Sequence, residues 1–293
     1  MSQAIAVDRK AWILLLLLSL VWGSSFILIK KALVVLHPVE LACMRISISS
    51  LAFLPILLLN FKKVDLSKWP LFLVVGLAGS GIPAFLYAFA QQQVSSSMAG
   101  LLNSLTPIFT FILGILIFND SFRLLKSIGV LVGFLGAALL VVMDKKAGFG
   151  GDLAAVMMIV FGTFCYGLSV NTVEHKLKGT GPLVISAASF FMIGPPAMIY
   201  LLSQGTIPAV LERPEAWKSL GAILILSLLG TVTASILFYG LVQRTSAVFG
   251  STVAYLMPVM ALAWGFVDGE AILFYHLIGL ALILTGVYLI KKM

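Results

Sequence analysis

Long apolar runs, broken by short polar loops, make up almost the whole chain. A helix needs about 20 mostly apolar residues to cross a bilayer core. On that measure the runs predict ten transmembrane helices, at roughly residues 11–30, 38–59, 70–91, 97–118, 125–143, 153–173, 182–202, 218–241, 247–266 and 272–290. The predicted fold class is therefore an all-α integral membrane protein. Pro55, Pro83, Pro107, Pro195, Pro196 and Pro258 fall inside spans, where kinks are expected rather than helix ends. The first span carries a polar interruption, "VWGSS" at residues 21–25. An unpartnered hydroxyl is costly in hydrocarbon and glycine is a weak helix former. These residues therefore predict a close helix crossing or a cavity.

The pattern is written twice. "YAFAQQQVSSSMAGLLNSLTPIFTF" from Tyr87 matches "YGLVQRTSAVFGSTVAYLMPVMAL" from Tyr239, aligning Gln91 with Gln243 and Pro107 with Pro258. Asp120 then matches Glu270, Gly129 matches Gly279 and Gly136 matches Gly286. At the front of each half "VWGSS" matches "CYGLS" (165–169), and Pro38 matches Pro182. Each half, 11–143 and 152–290, holds five predicted spans. An odd number makes the second half enter the membrane from the other side, so the expected layout is two inverted five-helix repeats. Secondary transporters are commonly built this way, with the substrate site near the midplane where the repeats meet.

Composition agrees with a membrane protein. The chain is 61% hydrophobic and 10% charged, against about 25% charged residues in soluble domains. Its net charge of +8 calls for no nucleic-acid partner, because the basic residues cluster in loops. Twelve Lys and Arg fall in the loops that share a side with both termini, and six (Lys30, Lys31, Lys145, Lys146, Arg213, Lys218) in the opposite set. The positive-inside rule then places both termini in the cytoplasm, in a plasma or inner membrane. A cleavable signal peptide is not expected, because the first apolar run is too long for one. Cys43 and Cys165 lie within spans, so no disulfide is expected. His37, His175 and His276 are isolated, no metal spacing appears, and no nucleotide-binding glycine loop is present. No cofactor is expected. The partners expected are a small-molecule substrate and the bilayer, and the chain is expected to be a monomer.

Candidate site residues follow from spacing and duplication. Thr231, Ser235, Tyr239 and Gln243 recur every four residues, as do Gly79, Pro83, Tyr87 and Gln91, so each set shares one helix face. Such faces serve either interhelical packing or a cavity wall. The matched pair Tyr87 and Tyr239 is favoured for the wall over Thr231. Trp22 and Tyr166 are matched aromatics beside glycines, which predicts that the first and sixth spans pair near the pseudo-axis with both rings facing the cavity. Asn103 and Tyr255 each precede a matched proline and join the predicted wall, and Gln91 is a further candidate substrate-binding residue. Arg45 is the sole charge deep in a span. It serves either to bind a carboxylate or phosphate or to bond backbone carbonyls. No Asp or Glu lies mid-span, which argues against dedicated exchange of cations for protons.

The duplicated Tyr-x-x-x-Gln with a following proline, the "WGSSF" of the first span and the closing "IGLALILTGVYLI" resemble the EamA branch of the drug/metabolite transporter superfamily, over Trp12 to Lys292. The family's glutamate at the end of the fourth span, as at Glu270 after the ninth, is replaced here by Asn119–Asp120. The resemblance implies a secondary transporter of small organic metabolites, foremost an exporter of amino acids or related amphipathic solutes, working by alternating access. A sugar-phosphate, nucleotide-sugar or drug carrier is the alternative within transport. A membrane-embedded lipid-modifying enzyme is the alternative outside it, although no acid, base or metal cluster at catalytic spacing appears.

Overall fold

A computed structural model describes residues 8–94, 96–143, 152–267 and 274–291, and every regular element among them is helical. In chain order the main helices are α1 (Arg9–Ala32), α2 (Pro38–Lys63), α3 (Leu66–Ala90), α4 (Met98–Leu116), α5 (Leu124–Val142), α6 (Leu153–Lys176), α7 (Pro182–Ser203), α8 (Ala216–Arg244), α9 (Val253–Val267) and α10 (Phe274–Lys291). Seven of them, α1 to α4 and α6 to α8, are long and apolar enough to cross a membrane. The apolar stretches around α5, α9 and α10, at Leu124–Leu139, Ala247–Met260 and Leu277–Ile290, are shorter. Large apolar side chains such as Ile13, Leu59, Leu116, Leu135 and Ile199 point outward, as suits helices whose outer solvent is lipid. Lys145, Lys146, Asp268 and Glu270 lie outside the described residues, so the Asp120–Glu270 match has no structural counterpart here.

Local irregularities are what shape the centre of the bundle. Asp8 caps α1 by accepting a bond from the Ala11 amide at 2.8 Å. Ser24 and Ser25 return their hydroxyls to the carbonyls of Leu20 and Val21, at 2.9 and 3.0 Å, which satisfies both within the helix. α3 and α8 each contain one turn of π-helix, at Leu77–Gly81 and Leu228–Thr233. Such turns free backbone groups and are frequent at functional sites. α4 is interrupted at Ser104 and Leu105 and restarts at Thr106, with Pro107 in its first turn.

Between helices in lipid the attraction is close packing and hydrogen bonding. α2 packs along α7, where Phe53 and Phe190 stack with centroids 5.2 Å apart. α5 packs along α10 with their backbones almost touching. A Cβ on Gly129 would stand 2.9 Å from the Gly286 carbonyl oxygen, and one on Gly136 would stand 2.8 Å from that of Gly279.

The expected pairing of α1 with α6 is corrected. Gly23 approaches Met257 and Met260 of α9, and Gly167 approaches Phe109 and Thr110 of α4. The glycines do mark close crossings, but each crosses a different helix. A glycine marks where a backbone can approach without naming which one does.

Candidate functional site

α1, α2, α3, α4, α6, α8 and α9 converge on a cavity of about 110 Å³. Trp22, Arg45, Tyr87, Asn103, Tyr166 and Tyr239, all expected from the sequence, line it. One of its walls is the π-turn of α8. The Trp22 indole Nε1 donates to the Gly230 carbonyl at 2.9 Å, and Arg45 Nε donates to Thr231 Oγ1 at 2.8 Å. The Thr231 hydroxyl in turn donates to the Leu226 carbonyl at 3.1 Å, five residues back along the widened turn.

Across from this wall lies an aromatic cluster. The Tyr87 ring stands 5.9 Å from that of Tyr166 and 6.2 Å from that of Phe26. Its hydroxyl donates to Asn103 Oδ1 at 2.6 Å, and Asn103 Nδ2 reaches the Met257 sulfur at 3.3 Å. Tyr239 shares a hydrogen bond with Ser169, above the glycine-rich turn at Gly79. Sequence reasoning did not single out Phe26, Phe238 and Met257, which also line the cavity. Phe26 lies one helical turn beyond Trp22, and that spacing was a usable signal. Phe238 packs edge-on against Trp22 at 4.8 Å.

Two expected site residues, Tyr255 and Gln91, lie outside the cavity lining. Tyr255 is fully buried against α5, where its hydroxyl donates to the Val130 carbonyl at 2.7 Å and its ring covers Gly133. Its polar end is satisfied in the packing and does not line the cavity. Gln91 is buried at the end of α3 outside the cavity lining, and neither its amide nitrogen nor its oxygen has a partner among the described residues. The position of the helix end, rather than the four-residue stripe, decides its place.

The two ends of the bundle are tied by polar bonds. At the C-terminal end of α8, Gln243 Nε2 donates to the carbonyls of Leu177 and Thr180, at 3.3 and 2.8 Å. Nearby, Glu174 accepts from the Ala247 amide at 2.6 Å, and His175 meets Asp120 at 2.9 Å. That imidazole bond holds the Asp120 carboxyl below its ordinary range, against the opposing effect of partial burial. At the other end of α8, Arg213 grips both Glu40 oxygens at 2.7 Å. This fork ties the start of α2 to the α7–α8 connection. Among the described residues no group of three or more His, Cys, Asp or Glu is placed to hold a metal ion.

With this geometry in view, the chain matches the EamA-like transporter family over residues 9–142 and again over 153–291, and it belongs to that family. A transporter of Archaeoglobus fulgidus, described as uncharacterized, is 28% identical over 97% of this chain and 98% of its own. A probable amino-acid metabolite efflux pump of Salmonella typhimurium is 27% identical over 97% of this chain and 95% of its own. A crystal structure with 16% sequence identity shares the fold, with a TM-score of 0.71 over 96% of each chain. The protein is therefore a multi-pass membrane transporter and not an enzyme, which removes the lipid-modifying alternative.

Proposed function

We propose that this chain is a secondary transporter that exports amino acids or related small amphipathic metabolites by alternating access of two inverted five-helix repeats. The observation that carries the reading is the make-up of the cavity wall. Trp22 and Tyr166 are matched across the halves, as are Tyr87 and Tyr239, and all four rings meet in one cavity. Further support comes from the α5–α10 crossing. Gly129 meets Gly286 while Gly136 meets Gly279, and Gly129 matches Gly279 as Gly136 matches Gly286. Such reciprocal contact is the mark of a twofold relation. Two like halves related in this way can exchange conformations at similar energy, turning a cavity open to one side into one open to the other.

The solute class rests on the lining. Aromatic rings with a few polar groups suit a small solute with an apolar body. Pockets for drug-sized ligands run to roughly 300–1,000 Å³, well above the cavity's volume of about 110 Å³. A sugar phosphate calls for more than one cation, and Arg45 is the sole charged residue in the lining among the described residues. The efflux-pump name of the Salmonella typhimurium relative favours amino acids and their derivatives. The protein works as a monomer in the plasma or inner membrane with both termini cytoplasmic. Counterflow in proteoliposomes, with a panel of amino acids, sugars and drugs, tests the reading. Exchange of amino acids or their derivatives is expected, and exchange of sugars or drugs alone would overturn it.

A further inference from the structure

We propose that the cavity selects solutes of net charge −1 bearing one free carboxylate, received by Arg45, and that Thr231 is the residue that aims the guanidinium at it. The inference rests on the transporter reading and narrows its substrate class from amino acids at large to their derivatives that keep the carboxylate but carry no free ammonium, such as 2-oxo acids. Arginine has five N–H donors and cannot be neutralised in a protein. One donor, on Nε, is taken by Thr231. No carboxylate lies within ion-pairing distance of Arg45 among the described residues, and no acidic residue lines the cavity there. The terminal nitrogens are thus left to meet what enters. A buried charge without a counter-charge is costly, and a carboxylate matches the guanidinium fork in shape as well as in sign.

The rest of the lining fixes the net charge. Asn103 has both ends bonded, and Tyr239 shares its hydrogen bond with Ser169. A substrate ammonium would therefore find no acid and would feel the Arg45 charge. A phosphate dianion would keep one charge unmatched. The apolar body of a carboxylate solute fits against Phe26, Tyr87 and Tyr166.

Thr231 is fixed in its role by the π-turn. Its hydrogen goes to the Leu226 carbonyl, so its lone pair faces Arg45 Nε. In the other repeat the matched residues are Gly79 and Ser189, which cannot form this pair. The cavity therefore has one anion-binding end.

The test uses full-length protein purified in detergent and three solutes sharing one branched aliphatic side chain: the 2-oxo acid, the amino acid and the amino-acid amide. Wild-type protein is expected to bind the oxo acid roughly tenfold or more tighter than the amide, with the amino acid between. R45Q is expected to abolish that order. R45K, the fallback if R45Q does not fold, is expected to keep the order with weaker oxo-acid binding. Thr231→Val is expected to weaken the oxo acid several-fold, leave the amide unchanged, and be rescued by Thr231→Ser. Equal wild-type affinity for oxo acid and amide overturns the proposal. So does an R45Q or R45K protein with unaltered oxo-acid affinity, or tighter binding of a phosphorylated analogue. A Thr231→Val that weakens all three solutes alike overturns the aiming role. Arg45-dependent binding without flux would leave this inference standing and defeat the transport mechanism instead.

Discussion

Gln243 and Gln91 hold matched positions in the two halves, yet among the described residues only the Gln243 side chain is bonded. Its amide grips the Leu177 and Thr180 carbonyls, while both amide atoms of Gln91 are buried without a partner among the described residues. A buried unpaired amide costs about 1–3 kcal/mol. The arrangement is the one expected if Gln243 latches the C-terminal end of α8, while Gln91 adds no latch at the opposite end, which the Arg213–Glu40 fork ties. Gln243→Ala should then make a single cysteine at Ser251 in the cavity react roughly 2–10-fold faster from the Gln243 side. The background has Cys43 and Cys165 replaced. Gln91→Ala should leave that rate alone. Equal rates in the two variants would dismiss the latch.

Topology gives a second prediction. The 12-to-6 division of Lys and Arg puts the Lys62–Lys63 loop in the cytoplasm and the loop with Arg213 on the opposite face. Reporters fused after Lys63 and after Glu212 should read opposite sides. A shared side would refute the inverted arrangement.

What the sequence made legible was whatever was duplicated or confined to one helix. Trp22, Tyr87, Tyr166 and Tyr239 stood out because each aromatic has a partner in the other half, and all four reach the cavity. Tyr255 did not separate from them, since its position depends on α5 supplying Gly133 as a seat and the Val130 carbonyl as a bond. Nothing local to Tyr255 encodes α5. The π-turns escaped for a similar reason. An extra residue in a turn leaves hydropathy unchanged, although Gly79-Ser80-Gly81 before Pro83 was a hint. Gly23 and Gly167 were legible as crossings, but which helix crosses each is a tertiary fact.

The Tyr87–Asn103 bond sets the outcome of a conservative change. Tyr87→Phe keeps the ring beside Tyr166 but leaves the buried Asn103 oxygen without its donor. That should lower stability by about 1–3 kcal/mol, seen as a lower Tm in detergent, with transport retained in the surviving protein. Tyr87→Ala should lose transport as well. Loss of transport in Tyr87→Phe at unchanged Tm would assign the hydroxyl to the solute instead.

Tyr255 should behave in the opposite way. Tyr255→Phe removes one buried bond to Val130, worth about 0.5–1.5 kcal/mol, at a residue that is not itself in the cavity lining. Thermal stability should fall while the KM for every transported solute stays put. A solute-dependent KM would return Tyr255 to the binding site.

The glycines of α5 and α10 supply the last prediction. At Gly136 an added Cβ would stand 2.7 Å from the Ile283 amide nitrogen and 2.8 Å from the Gly279 carbonyl oxygen. Backbone atoms cannot swing aside as a side-chain tip can, so α10 must move as a body. Overpacking of this kind typically costs about 1–3 kcal/mol, which outweighs the helix-propensity gain of nearly 1 kcal/mol for Gly→Ala. Gly221 in α8 is the internal control, because nothing lies within 4 Å of its added Cβ. Gly221→Ala should therefore be neutral or stabilising, whereas Gly136→Ala should lower Tm and reduce the fraction of monodisperse protein in detergent. If both substitutions raise Tm alike, α5 and α10 are not in backbone contact, and the reciprocal glycine crossing that supports the twofold relation of the halves is lost.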